Sequence, residues 1–157
     1  MRRVGLIAAI IVVLDQLTKL LVARHLADSP PVPVIDGFFQ LVNWRNTGAA
    51  WGILHNYNLV LAAISVATVL ALYVFRRTFG IERAASAWAL GLINGGIIGN
   101  VIDRLRLGHV VDFLDFYVGV HHWPAFNVAD SAICVGVVLY IIVSWHHDAT
   151  DAHNAQN

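Results

Sequence analysis

Val4-Gly5-Leu6-Ile7-Ala8-Ala9-Ile10-Ile11-Val12-Val13-Leu14-Asp15-Gln16-Leu17-Thr18-Lys19-Leu20-Leu21-Val22-Ala23-Arg24-His25-Leu26 decides the fold. It is long enough to cross a bilayer core of about 30 Å as a helix, which takes roughly 20 apolar residues. Arg2 and Arg3 precede it, so the stretch up to Asp15 imitates a secretory signal. The apolar character resumes at Leu20, and no small-residue cleavage site leads into a soluble domain, so the segment reads as a retained membrane helix. The rest of the chain agrees. Of its 157 residues 58% are hydrophobic and 13% charged, too apolar a balance for a soluble domain of this length.

Three further apolar segments follow, so the expected spans are residues 4–26, 59–75, 84–102 and 128–145, within one membrane domain covering residues 1–157. The expected architecture is an all-α membrane protein with four transmembrane helices and a small extracytoplasmic β element. The first connection, residues 27–58, contains Asp36-Gly37 between apolar runs, a hairpin signal, and Trp44, Trp51 and Tyr57 suit headgroup depth. The third connection, residues 105–127, holds Asp112, Asp115 and several aromatics. Four spans put both termini on one side. Arg2, Arg3, Arg76, Arg77 and Arg83 mark that side, against Lys19, Arg24, Arg45, Arg104 and Arg106 on the other. The raw count ties, and the first helix, which usually dominates orientation, places both termini in the cytoplasm. The two long connections then share the outer face.

A zero formal net charge gives no basic field for nucleic acid. The single Cys134 allows no disulfide within the chain and no multi-cysteine metal site, and the His121-His122 and His146-His147 pairs lack metal-ligand spacing. No metal and no cofactor are expected.

Chemistry must therefore come from a few placed polar groups. Asp15 and Lys19 are spaced i, i+4, which on a surface is an ordinary ion pair; within an apolar span ionisable groups are costly and point to function. Asn46-Thr47-Gly48-Ala49-Ala50-Trp51-Gly52 is a small-residue loop that lets backbone approach a ligand, or simply a turn. Gly91, Gly95 and Gly99 form a stripe for close helix packing, and Asn100 and Arg104 lie one turn further along a neighbouring face. Asp112 and Asp115 sit in similar surroundings and local physics does not separate them. Asn127 and Asp130 have the spacing of a helix-capping pair. Gathered at one membrane face, two close carboxylates would split their apparent pKa values and activate water. Lys19 with Ser131 as a Ser-Lys hydrolase is the weaker hydrolytic scheme. A rival of another class is a proton-coupled or scaffold protein using the same buried charges.

Five stretches in order, Asp15-Gln16-Leu17-Thr18-Lys19, Asn46 to Gly52, Gly99-Asn100-Val101-Ile102-Asp103-Arg104, Val110-Val111-Asp112-Phe113 and Phe126-Asn127-Val128-Ala129-Asp130, resemble the lipoprotein (type II) signal peptidases. The resemblance implies a bacterial cytoplasmic-membrane aspartyl endopeptidase with its site at the outer face. It would act on diacylglyceryl-modified prolipoproteins, cutting just before the lipidated cysteine. It selects Asp112 rather than Asp115 as catalytic partner of Asp130, and implies that Asn46, Gly48, Asn100, Arg104 and Asn127 bind substrate or orient the aspartates, with Asp15 and Lys19 supporting them.

Overall fold

A computed structural model of the chain describes residues 1–27, 29–49, 53–81 and 83–154, with side chains as far as residue 145. Its elements run α1 (Arg2–His25), β1 (Val32–Ile35), β2 (Phe39–Asn46), α2 (Asn58–Val74), α3 (Ala84–Leu107), β3 (Val110–Val118), β4 (His121–His122) and α4 (Val128–Asn154). Among the described residues three helices, α1, α3 and α4, are long and apolar enough to cross a membrane. The apolar α2 has 17 residues, about 26 Å at the helical rise.

Helix α3 is the hub, packed against α1, α2 and α4, and its glycines explain how. A Cβ at Gly91 or Gly95 would lie 2.7 Å from Ile7 or Ile11 of α1, and one at Gly136 of α4 2.8 Å from Ile93. Gly96 meets Ala129 and Ile133 of α4. The stripe thus serves two partners at once, α1 along Gly91, Gly95 and Gly99 and α4 at Gly96, and dispersion between closely approached backbones replaces the hydrophobic drive that lipid does not supply.

A cluster of Val4, Ala87 and Leu90 with Leu72, Phe79 and Ile81 closes one end of the bundle, the end that carries Arg2, Arg3, Arg76, Arg77 and Arg83. A second cluster, Val22, Val111 and Phe113 with Leu26, Leu41, Leu114 and Val128, joins the other end to a sheet. This antiparallel sheet has the order β1-β2-β3-β4. Asp36-Gly37 forms the expected turn, with Gly37 at φ 74°, and Pro33 occupies edge strand β1, where its missing N–H costs no ladder bond.

The architecture is thus more than helices with one small hairpin. Residues 105–127, expected as a loop, instead extend α3 to Leu107, turn at Gly108 (φ 74°) and form β3 and β4. Val110-Val111-Asp112-Phe113-Leu114-Asp115-Phe116-Tyr117-Val118 is rich in β-branched and aromatic residues, which favour a pleated, half-buried surface. Its pairing with β2 sets Trp44 opposite Asp112 and Gln40 opposite Asp115. Trp51, placed by its chemistry at headgroup depth, lies outside the described residues.

Candidate active site

The sheet end of the bundle encloses a cavity of about 700 Å³ lined by Asn46, Asn100, Arg104, Asp112 and Asp130, with an apolar wall that includes Trp44, Trp123 and Phe126. Asp112 enters from β3, Asp130 from the first turn of α4. A strand and a helix thus deliver the two carboxylates to one water-accessible space.

Each carboxylate is held by asparagine amides. Asn46 Nδ2 donates to Asp112 Oδ2 and Asn127 Nδ2 to Asp112 Oδ1, both at 2.8 Å. Asn100 Nδ2 donates to Asp130 Oδ1 at 2.7 Å, and the Asn127 backbone N–H to Asp130 Oδ2 at 3.2 Å. The Asp130 N–H returns a bond to Asn127 Oδ1 at 3.0 Å. Asn127 and Asp130 therefore do form a reciprocal helix cap, and Asp130 lines the cavity as well.

Beneath the cavity lies a buried ionic cluster. Lys19 Nζ meets Asp15 and Asp103 at 2.9 Å each and donates to Asn100 Oδ1 at 3.0 Å, which uses all three of its protons. Asp15 and Asp103 are fully buried. Asp15 Oδ1 also accepts the Ala129 N–H at 3.0 Å, placing an anion at the N-terminus of α4. Asp103 accepts Gln16 Nε2 at 2.9 Å and the Val111 N–H at 3.3 Å. Gln16 and Asp103 thus belong to the support of the site, although sequence reasoning assigned them no role. Their signal was a polar residue beside Asp15 and an acid beside Arg104 inside apolar helices.

Gly48 is buried; its N–H donates to Asn46 Oδ1 at 2.9 Å and its carbonyl accepts Arg104 Nη2 at 3.1 Å. Arg104 Nε is buried without a hydrogen-bond partner among the described residues. The Ser-Lys alternative does not form, because Lys19 is enclosed by Asp15, Asp103 and Asn100, and Ser131 Oγ donates to the Asn127 carbonyl at 2.9 Å. Asp115 is separate from the cavity lining, buried between Gln40 and His122. Among the described residues no three His, Cys, Asp or Glu side chains converge as a metal-ligand set.

Burial pushes the Asp112 carboxyl up to about 7, and the neighbouring Asp130 charge adds to the rise, while the amides of Asn46 and Asn127 and the Lys19 ammonium oppose it. A carboxyl poised near neutrality beside a second carboxylate is equipped for proton transfer at a water or a carbonyl.

The chain is similar to known proteins over most of its length. The family model for signal peptidase (SPase) II matches residues 7–146. Proteins named lipoprotein signal peptidase from Syntrophotalea carbinolica and Geobacter sulfurreducens are 46% identical over 144 residues and 48% over 133. The alignments cover 89% of both chains in the first case and 83% of both in the second. A bacterial membrane enzyme solved by the in meso method at 2.3 Å resolution superposes with a TM-score of 0.80 at 34% identity, covering 96% of this chain and 92% of that one. A second, at 1.9 Å, gives 0.74 at 35%, covering 91% and 92%. With the family matched over nearly the whole chain and its membrane fold shared with solved enzymes, this multi-pass membrane protein belongs to the signal peptidase II family and is a protease.

Proposed function

We propose that the protein removes the signal peptide from diacylglyceryl-modified prolipoproteins, hydrolysing the bond before the lipidated cysteine with Asp112 and Asp130 as its catalytic pair. The observation that carries this is the pair itself: two carboxylates in one cavity, each oriented by asparagine amides, with Asp112 pushed up to about 7.

In the reaction the pair shares one proton, and the proton belongs to the unit rather than to either residue. The ionised member takes a proton from water as the oxygen attacks the scissile carbonyl carbon, and the protonated member donates to the carbonyl oxygen. Collapse of the tetrahedral intermediate breaks the C–N bond as one of its hydroxyls returns a proton to the now-ionised member, and the leaving amine takes the proton gained from water, which restores the singly protonated pair. Asn46, Asn100 and Asn127 hold the carboxylates. Arg104, with a buried Nε to spare beside Gly48, suits a substrate carbonyl, and Asp15 and Lys19 support Asn100 and α4.

The chain spans the bacterial cytoplasmic membrane four times in this reading, α2 included, with both termini cytoplasmic and the cavity at the outer face. In support, Arg2, Arg3, Arg76, Arg77 and Arg83 gather at the end opposite the sheet, while of the five cations at the sheet end Lys19 and Arg104 lie within helices and are engaged at the site, which leaves the excess of the remaining cations on the side expected to be cytoplasmic. The apolar cavity wall and the apolar α4 surface beside it, around Val135 and Val138, suit acyl chains and a signal helix arriving from the bilayer, which gain little by passing through water. Cleavage of one precursor peptide with and without its diacylglyceryl group tests the assignment. The lipidated form should be strongly preferred, and equal rates would overturn the lipoprotein specificity while leaving the aspartyl mechanism standing.

A further inference from the structure

Asp115 is fully buried, yet it is not among the residues lining the cavity. An ionised carboxylate is expensive to bury unless its oxygens are satisfied, and two neighbouring strands satisfy this one. Gln40 Nε2 on β2 donates at 2.6 Å, and His122 Nδ1 on β4 lies 3.0 and 2.9 Å from Oδ1 and Oδ2. Because a carboxylate only accepts, Nδ1 is the protonated ring nitrogen. The imidazole is stacked on Tyr117, centroids 5.2 Å apart and planes at 13°, with the Trp44 indole 6.3 Å away.

This clasp stands where the strand pairing is shortest. Strand β4 pairs with β3 through two residues, Tyr117↔His122 and Val118↔His121, too short a ladder to hold itself. Immediately after it Trp123, Pro124, Ala125 and Phe126 form one wall of the cavity. That wall is tied at its two ends, by the Trp123 N–H to the Phe116 carbonyl at 2.8 Å and at Phe126 by its N–H to the Leu114 carbonyl and its carbonyl to the Phe113 and Leu114 N–H groups, and between them Pro124 has no N–H to offer.

We propose that His122 is a positioning residue for the substrate cavity: through Asp115 it latches the segment carrying Trp123 to Phe126 onto the sheet and so sets the apolar wall that receives substrate. It touches neither Asp112 nor Asp130, so it governs binding rather than the chemical step. The kinetic part of the inference rests on the proteolytic reading above; the structural part does not.

The test compares wild type with His122→Ala, His122→Phe, which keeps a ring on Tyr117 but lacks Nδ1, and His122→Asn, whose amide can donate in place of Nδ1. Hydrogen exchange of the purified protein reads the latch without any need for activity. The Trp123 and Phe126 amides should exchange about tenfold faster or more in the Ala and Phe variants, as expected when a bond to a charged group is lost, and return towards wild type in the Asn variant. With a diacylated precursor peptide, KM should rise about three- to tenfold in the Ala and Phe variants with kcat within about twofold, and Asn should restore it. Unchanged exchange in His122→Ala, an Asn variant as loose as Ala, or a fall in kcat at constant KM would each overturn the proposal. A wild-type protein that failed to cleave the peptide would instead sink the substrate assignment, with the exchange data still deciding the latch.

Discussion

Replacing Asp130 by Asn separates capping from the proposed catalysis, because one side chain both caps α4 and lines the cavity. Asp130 presents one oxygen to the Asn127 N–H and the other to Asn100 Nδ2. An Asn at this position has one acceptor and one donor end. With its oxygen towards the Asn127 N–H, the cap, worth about 1 kcal/mol, is kept. Its NH2 then opposes the Asn100 NH2, an unmade bond of about 1–3 kcal/mol, partly offset because one buried charge beside Asp112 is removed. Net destabilisation should be about 2 kcal/mol or less, a modest shift in a detergent thermal melt. Activity should respond on another scale. Losing a positioned acid or base costs about 10²–10⁴-fold in rate, or roughly 3–5 kcal/mol of barrier. Asp112→Asn should match it, and the double variant should be scarcely slower than either single one, since residues acting as a unit are non-additive. Cleavage of a diacylated precursor peptide, measured beside the melt, reads both scales on one sample. A folded Asp130→Asn protein that cleaves at the wild-type rate would refute the dyad and leave capping as the whole role of Asp130.

Two further outcomes follow from the same geometry. Since Asp112 in the folded protein holds its proton up to about 7 whereas an unfolded aspartate loses it near pH 4, its contribution makes stability fall as pH rises across that interval; cleavage should decline above about pH 7 as the pair loses its shared proton, and a pH–rate profile flat through pH 9 would contradict this. A Cβ at Gly99 would lie 2.6 Å from Asp15 Oδ2, so Gly99→Ala should cost about 1–3 kcal/mol by overpacking and slow cleavage by displacing Asp15, whereas Gly5→Ala, with nothing within 4 Å, should leave melting and activity essentially unaltered.

The legible part of the fold was the part written in local pattern. Apolar length marked the helices, and Asp36-Gly37 marked the hairpin between β1 and β2. Residues 110–118 were harder, because aromatic and β-branched residues around two acids serve equally in an interfacial loop and in a strand. What makes them a strand is β2, some 70 residues earlier, supplying the facing edge, and the Asp103 side chain accepting the Val111 N–H. The same pairing distinguishes Asp112 from Asp115. Local sequence gives both an apolar, aromatic neighbourhood, but only Asp112 lies against Asn46 and Asn127 at the cavity, while Asp115 is closed off by Gln40 and His122. Asp103 and Gln16, quoted within the motifs, receive no role from the sequence alone because their contacts exist only once the glycine stripe has brought α1 against α3.

The three asparagines show how a site of this kind is held in one state. An amide can present either end to a carboxylate, and the wrong end repels it, so each orientation needs a cause. For Asn46 the cause is the Gly48 N–H on its oxygen. For Asn127 it is the Asp130 N–H in the first turn of α4. For Asn100 it is the Lys19 ammonium, itself fixed between Asp15 and Asp103. In each case a donor that the fold cannot reposition occupies the amide oxygen and leaves the NH2 to face a carboxylate of the cavity. A buried lysine among two buried aspartates stabilises little for what its desolvation costs. Here it aims Asn100 at Asp130 from beneath the cavity, so that its cost is spent on fixing the orientation of one amide.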